Sequence, residues 1–151
     1  MKSFKKYLIE KPYTEAPIRV LPDSIPDKLY HATDVKDNIP LILEQGIKAS
    51  QEQNAFGYQR QKAGVIYLAA NPLTIDDNIK EFVASFEIDT TTGEFDKEKL
   101  YMDEQRFNNV EHWGPLVDIT RILDNYGNVY FEYVADLIPP NLITLYEDPE
   151  E

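Results

Sequence analysis

The sequence predicts an α+β fold, in which a largely antiparallel sheet is accompanied by a few short helices. Strand-like runs rich in β-branched and aromatic residues occupy residues 28–32, 64–70, 81–89 and 129–135. One helix is clearly indicated, because Asp37 or Asn38 can cap its start and Gly46 can end it. Strands outnumber helices and do not alternate with them, so a regular succession of βαβ units is not expected.

The elements of the first half follow from prolines and polarity. Four prolines within residues 1–27 allow only short strands and turns, and a short strand is predicted at 18–21. The strand over 28–32 comes next and leads into the predicted helix. Residues 50–63 are polar and aperiodic, which indicates a surface loop.

The middle of the chain contains the two clearest strands. The run over 64–70 is followed by Asn71 and Pro72, which end it. A short helix is possible over 74–80. Residues 82, 84, 86 and 88 are apolar in alternation, which is the pattern of a half-buried strand over 81–89.

The secondary structure of the last third of the chain is predicted from shorter sequence patterns. A strand is predicted at 100–102, a helix around 116–123 and a turn at 125–128. The β-rich run over 129–135 follows that turn. Two prolines at 139 and 140 then precede a final strand over 142–146.

Length and composition limit the class of protein. The chain has 151 residues, of which 42% are hydrophobic and 28% charged, and this predicts a single globular domain over 1–151. Within it, residues 1–27 form a proline-rich lead-in and 147–151 an acidic tail. No apolar run approaches the roughly 20 residues of a membrane span, and no apolar stretch follows the basic start. Because cysteine is absent as well, a cytoplasmic protein without a membrane partner is expected.

The net charge bears on possible partners. It is −12, from 27 acidic and 15 basic residues. Such a surface repels phosphate backbones, so a nucleic-acid partner is disfavoured. Solubility alone would also account for this charge.

Three segments together resemble the ADP-ribosyltransferase superfamily, in the branch that includes poly(ADP-ribose) polymerases and diphtheria-toxin-like enzymes. The first is Leu29-Tyr30-His31-Ala32-Thr33 with the later Gly46-Ile47, similar to the family's "Tyr-His-Gly-Thr/Ser, helix, Gly-Leu/Ile". The second is Gly64-Val65-Ile66-Tyr67-Leu68-Ala69, similar to "Gly-Ile-Tyr-Phe-Ala". The third is Phe131-Glu132-Tyr133-Val134, similar to the closing "Glu-Tyr-Val/Ile-Val" strand. The resemblance implies an ADP-ribosyltransferase-like split antiparallel sheet and the use of NAD as a substrate, without a metal.

The resemblance also implies roles for three side chains. His31 would hydrogen-bond the ribose that carries adenine, Tyr67 would stack on the nicotinamide, and Glu132 would assist transfer as the catalytic residue. An aromatic face suits a cationic ring, and a negative charge suits the cation that develops when the glycosidic bond breaks. The alternatives are a histidine bonded to backbone, a core tyrosine and a glutamate that faces solvent by alternation. Alternation places Glu132 on one face with Tyr130 and Val134, which are not typical solvent-side residues.

Four further residues are candidates for NAD binding. Ala32 stands where the family has glycine, and Thr33 completes that motif. Asn71 is the candidate replacement for a serine that often follows the tyrosine strand in the family. Arg60 could pair with the pyrophosphate, although a surface arginine is the alternative.

Other groups of polar or aromatic residues in the sequence give weaker indications of a functional site. His112 and Trp113 could line the rim of a pocket, or simply pack within a loop. The acidic pairs Asp76–Asp77 and Asp103–Glu104 have no metal-loop spacing, which predicts solvated surface.

Three functions are therefore carried forward. The first is an NAD-dependent enzyme that transfers ADP-ribose to a protein or nucleic-acid acceptor, or hydrolyses NAD. The second is an RNA 2′-phosphotransferase of related fold, which the net charge of −12 disfavours. The third is a catalytically inactive binding module with an acidic docking surface, which Ala32 and the missing serine suggest.

Overall fold

The computed structural model describes residues 18–49, 64–72, 83–103, 116–126 and 128–147, together with the backbone pairing of 53–54 and 60–61. The chain is mixed α+β and consists mostly of strands, as predicted. Its helices are α1 (Asn38–Gln45) and α2 (Ile119–Tyr126), with short 3-10 helices at Pro22–Ser24, Lys97–Lys99 and Pro140–Leu142. Neither α-helix is long and apolar enough to cross a membrane, and the described residues contain no other helix that is.

The strands, in chain order, are β1 (Arg19–Val20), β2 (Lys28–Thr33), β3 (Ile47–Lys48), β4 (Gln53–Asn54), β5 (Arg60–Gln61), β6 (Val65–Ala69), β7 (Ala84–Asp89), β8 (Leu100–Met102), β9 (Leu116–Val117), β10 (Tyr130–Val134), β11 (Leu137–Ile138) and β12 (Ile143–Leu145). Eight of them form one sheet in the order β12-β7-β2-β6-β10-β8-β1-β9. Its described pairs are antiparallel apart from the parallel pair β1–β9. Two small ribbons, β11–β3 and β4–β5, lie outside this sheet.

The junction between β2 and β6 has a short register, as has the junction between β1 and β8. On its other side β2 pairs with β7 along its whole length, from Lys28 to Thr33. Towards β6, the described register consists of the pair Tyr30 and Ala69. We call this junction the seam. It joins the strands β12-β7-β2 to the strands β6-β10-β8, and β1 and β9 extend the sheet beyond β8.

One face of the sheet carries the hydrophobic core. Alternation along the strands directs to this face the buried side chains of Leu29, Ile66, Leu68, Phe86, Ile88, Leu100, Met102, Phe131 and Tyr133, which belong to a single cluster. Ile119 and Ile122 of α2 and Leu142 also belong to that cluster. The opposite face carries Tyr30, Tyr67, Tyr101, Tyr130 and Glu132, and we call it the tyrosine face.

The boundaries of α1 follow the sequence closely. Gly46 ends the helix with φ of +91°, and its N–H donates to the carbonyl of Ile42. A Cβ at this position would lie 2.3 Å from the carbonyl oxygen of Ile138. Glycine is therefore required here both by conformation and by the close approach of β11. Asp37 precedes the helix, but its side chain makes no capping hydrogen bond, so that part of the prediction was wrong.

The prediction of a helix around 116–123 was wrong at its start. Leu116 and Val117 pair with β1, and the helix begins only at Ile119. The carboxylate of Asp118 accepts the backbone N–H of Thr120 at 3.0 Å, which is a hydrogen bond typical of a residue that precedes a helix. The helix then continues to Tyr126, so the first half of the turn predicted at 125–128 is helical.

The polar segment over 50–63 was predicted as a loop, yet it contains the paired strands β4 and β5. Each is two residues long, which is too short for any periodic pattern to reveal it. The helix predicted over 74–80 lies outside the described residues.

Candidate functional site

Glu132 lies in the middle of β10, on the tyrosine face. Its cross-strand neighbours are Tyr67 on β6 and Tyr101 on β8. Side chains directly opposite each other in such pairs have Cβ atoms about 4.5–5.5 Å apart. Glu132 is only 6% exposed although it points away from the main core. The prediction that it shares a face with Tyr130 is confirmed, and the alternative of a solvated glutamate is not.

The register that places Glu132 opposite Tyr67 is fixed at one end by two asparagines. The side-chain oxygen of Asn128 accepts the backbone N–H of Asn71 at 2.9 Å, and its amide nitrogen donates to the carbonyl of Asn71 at 3.3 Å. The same oxygen accepts the N–H of Val129 at 2.9 Å. Asn128 therefore joins the end of β6 to the start of β10.

Asn71 is placed differently from its predicted role. It lies four residues beyond Tyr67, a separation of about 13 Å along a strand. Its backbone N–H and carbonyl are bonded to Asn128. The observed role of Asn71 is thus to close the strand pair, at a distance from Tyr67.

His31 lies at the junction of β2 and β6. Nδ1 of its imidazole is 2.9 Å from the backbone carbonyl of Tyr67, and since a carbonyl only accepts, this nitrogen donates. Carbonyls of a strand lie near the plane of the sheet and point to the neighbouring strand. The imidazole therefore occupies the seam between the two halves of the sheet, beside Tyr67.

The register separates His31 from the other two predicted residues in one respect. His31 pairs with Phe86 and so alternates towards the core face, whereas Tyr67 and Glu132 lie on the tyrosine face. The structure thus bonds His31 to the backbone of Tyr67, which confirms the alternative of a backbone-bonded histidine, and it places Glu132 directly opposite Tyr67 in the strand pair. Burial lowers the pKa of His31, and the bond to the Tyr67 carbonyl opposes that effect only in part.

The two residues after His31 differ in environment. Ala32 pairs with Ser85 and shares the tyrosine face with Tyr30. Thr33 is buried, and its hydroxyl oxygen accepts the N–H of Val35 at 3.2 Å. Its carbonyl accepts the N–H of Val83 at 2.9 Å. Thr33 therefore shapes the turn that leaves β2.

The remaining candidates have mixed outcomes. Arg60 pairs with Asn54 in the β4–β5 ribbon, and its side chain is outside the described part of the chain. His112, Trp113, Glu104 and the pair at 76–77 also lie outside it.

Asp103 was predicted as solvated surface and this was wrong, because it is 1% exposed and its backbone N–H donates to the carbonyl of Tyr130.

Sequence reasoning missed Tyr101, which is one of the tyrosines beside Glu132. Tyr101 is directly opposite it, and Tyr130 precedes it by two residues on the same strand face. Both side chains are half-buried. Alternation within 129–135 identified Tyr130 as a neighbour on the same face, but no role was predicted for it. The pairing of Tyr101 with Glu132 has no local signal, because it depends on the register of two distant strands.

A second polar group lies on the other half of the tyrosine face. The hydroxyl of Tyr30 donates to Glu87 at 3.4 Å, and Lys28 forms an ion pair with the same carboxylate at 3.4 Å. The ring of Tyr146 contacts Tyr30 edge to face, with centroids 5.7 Å apart. Burial, followed by the neighbouring Glu87, raises the pKa of Tyr30.

The arrangement suits the binding of an organic cation. Glu132 stands between two tyrosines on the neighbouring strands, and carboxylates and aromatic rings both attract positive charge. Among the described residues, no group of three or more acidic or histidine side chains is placed to hold a metal ion. Comparison with protein-family models, with curated proteins and with solved structures finds no match to this chain.

Proposed function

We propose that this protein binds NAD on the tyrosine face and cleaves it, transferring ADP-ribose to a macromolecular acceptor as ADP-ribosyltransferases do. The observation that carries the proposal is the direct pairing of Glu132 with Tyr67 on the face away from the core. Residues 65 positions apart in the chain become neighbours across two strands. The site then offers an aromatic surface for the nicotinamide and a carboxylate beside it.

Three further features support this proposal. The register described between β2 and β6 is short, which is compatible with the split sheet that the resemblance implies. Nδ1 of His31 bonds the backbone carbonyl of Tyr67, which keeps this imidazole at the β2–β6 junction, although the residue alternates towards the core face. The sequence segments around these residues resemble the same family.

The proposed reaction requires little covalent chemistry from the protein itself. The bond between the nicotinamide nitrogen and the ribose breaks, and nicotinamide leaves with the bonding electrons. Positive charge then develops on the ribose, and the carboxylate of Glu132 stabilises it from a position with little access to water. The acceptor forms the new bond and releases a proton.

The decisive experiment is a titration of the wild-type protein with NAD, followed by thermal unfolding and by release of nicotinamide. NAD at a hundred times its dissociation constant should add about 2.7 kcal/mol to the free energy of unfolding. Tyr67→Ala should weaken NAD binding at least about tenfold, the loss expected for a desolvated cation–π contact. Glu132→Gln should retain binding and lose most nicotinamide release.

Two control variants are available on the same face. Tyr146→Ala removes a half-buried tyrosine on the other half of the sheet, and Glu87→Gln neutralises a half-buried glutamate there. Neither should change nicotinamide release. Wild-type protein that shows no thermal shift and no nicotinamide release at millimolar NAD would refute the proposal.

A catalytically inactive module with this fold is the second candidate. Ala32 favours it, because its methyl group stands on the tyrosine face where the family has glycine. This candidate predicts no response to NAD and co-purification of a basic partner. Ala32→Gly should then fail to restore NAD binding.

A further inference from the structure

Asp103 is a second buried carboxylate on the tyrosine face. It directly follows β8 and continues the alternation of that strand, so its side chain lies on the same face as Tyr101. Its backbone N–H donates to the carbonyl of Tyr130 at 3.0 Å, which places it opposite Tyr130 in the pair of β8 and β10. Asp103 is 1% exposed and Glu132 is 6% exposed. The proposed cleavage of NAD uses Glu132 and assigns no role to Asp103.

The strand register makes these two carboxylates diagonal neighbours. Glu132 is opposite Tyr101, and Asp103 is two residues further along the chain from Tyr101. Diagonal residues on one face of an antiparallel pair lie about 7–8 Å apart, and extended side chains can shorten that separation. Away from water, charges at this range interact more strongly than they do on the surface. The charge of one carboxylate therefore influences the ionisation of the other.

Two like charges buried side by side oppose folding. A single buried carboxylate already has a desolvation cost, and a second one nearby adds repulsion. Carboxylates whose ionisation is perturbed by burial and by a neighbouring charge occur frequently at functional sites. The position of Asp103 next to Glu132 therefore points to a role in the chemistry of that residue.

We propose that Asp103 controls the pH at which Glu132 becomes charged, and thereby the pH range in which NAD is cleaved. This inference rests on the proposed function, in which the anionic form of Glu132 stabilises the positive charge on the ribose. An anionic Asp103 opposes the ionisation of its neighbour, so Glu132 takes up a proton at a higher pH than it would alone. Mild acidification then removes the active form. Asp103 acts through Glu132, and it is a positioning residue.

The other groups around Glu132 do not produce the same effect. Three tyrosines lie beside it, and tyrosine phenols stay neutral in the acid range where carboxyl groups titrate. They are Tyr67 on β6, Tyr101 on β8 and Tyr130 on β10 itself. Arg19 follows Tyr101 in the same row, and its guanidinium bonds Glu98 at 2.7 Å and keeps its charge at every relevant pH. His31 is present in all variants compared below, so its titration cancels.

The test is the pH profile of nicotinamide release, measured on the full chain with saturating NAD. In Asp103→Asn we expect the acid limb of the profile to move by about one pH unit towards lower pH. Asp103→Ser should move it in the same direction, whereas Asp103→Glu keeps the charge and should leave it near the wild-type position. Asp136→Asn removes one negative charge at an exposed position and is the matched control, with an unmoved acid limb.

A measurement on the wild type alone covers the case in which a substitution at this buried position prevents folding. The side-chain carboxyl carbons of Asp103 and Glu132 are followed by NMR as a function of pH, without NAD. Each carbon should respond to the ionisation of both groups, so each titration curve should show two steps. Two independent curves of one step each would overturn the proposal.

The remaining outcomes separate this inference from the proposed function. An acid limb that stays in place in folded Asp103→Asn, or moves to higher pH, overturns the inference and leaves the proposed function standing. A lower stability with an unmoved acid limb shows that Asp103 is purely structural. Absence of nicotinamide release by wild type refutes the proposed function and, with it, the control of NAD cleavage by Asp103.

Discussion

At the scale of single residues, Glu132 combines two properties that rarely coincide. It lies in an apolar strand, yet on the face away from the core, and it is nevertheless buried. Burying a carboxylate is costly for folding unless other interactions offset the cost. Such positions are frequently functional, which is why the site is built around this residue.

His31 makes a pH-dependent contribution to stability whose sign can be worked out. Burial lowers the pKa of its imidazole in the folded protein, whereas an unfolded histidine titrates near 6.5. Below that pH the unfolded chain binds the extra proton first, so the free energy of unfolding falls as the pH drops. The loss continues until the folded imidazole also protonates.

We expect His31→Gln to lack this acid-sensitive component. The difference in unfolding free energy between wild type and His31→Gln should therefore shrink between pH 7.5 and pH 5, measured by urea denaturation. His112 is present in both proteins and cancels in the difference. A difference that stays constant, or grows on acidification, would show that the imidazole is not desolvated.

Gly46 is the glycine on which packing depends most directly. Gly46→Ala must place a methyl group 2.3 Å from the Ile138 carbonyl and strain a backbone with φ of +91°. We expect a loss of at least about 2 kcal/mol in unfolding free energy. Gly64→Ala is the matched control, because Gly64 also has positive φ, at +78°, but open space around it. It should cost only about 1 kcal/mol, and equal losses in the two variants would contradict the packing argument.

At the scale of elements, the pairing of β6 with β10 depends on Asn128. Asn128→Ala removes three hydrogen bonds at the strand ends. The N–H and carbonyl of Asn71 and the N–H of Val129 then lose their side-chain partner. We expect a loss of about 1–3 kcal/mol and faster hydrogen exchange at the Asn71 amide. Asn141→Ala removes an exposed hydrogen bond to Glu94 and should cost less than about 0.5 kcal/mol. Unchanged exchange at Asn71 would mean that the strands hold their register without the asparagine.

The elements that the sequence located well are those with strong local signals. β2, β6, β7 and β10 were each placed to within a few residues, and α1 ends where glycine predicts. β9 and the β4–β5 ribbon were missed, because strands of two residues are defined by their partners and not by their own composition. α2 begins at Ile119 and not at Leu116 for the same reason. Leu116 and Val117 pair with β1 as a strand and are therefore not part of the helix.

At the scale of the whole molecule, the net charge of −12 should be visible in the salt dependence of stability. Like charges repel in the compact state, and added salt screens that repulsion. The described ion pairs Arg19–Glu98 and Lys28–Glu87 each include at least one exposed side chain, so little attraction is lost in return.

We therefore expect the Tm to rise by about 2–5 °C between 20 mM and 500 mM NaCl, measured by calorimetry. KCl at the same ionic strength should give the same shift, which separates screening from binding of a particular ion. A fall in Tm would indicate that attractive pairs outweigh the net repulsion.

The sequence by itself determined the α+β class, the main strands, the end of α1 and the residue types of the candidate site. These follow from local propensity and from alternation, which depend on residues close together in the chain. Only the tertiary structure decided that Glu132 faces Tyr67 and Tyr101, that His31 lies in the seam, that Asp103 is buried and that Asn71 closes a strand pair. Register and burial are set by contacts between distant segments, and shifting a strand by one residue would turn the same side chains to the other face.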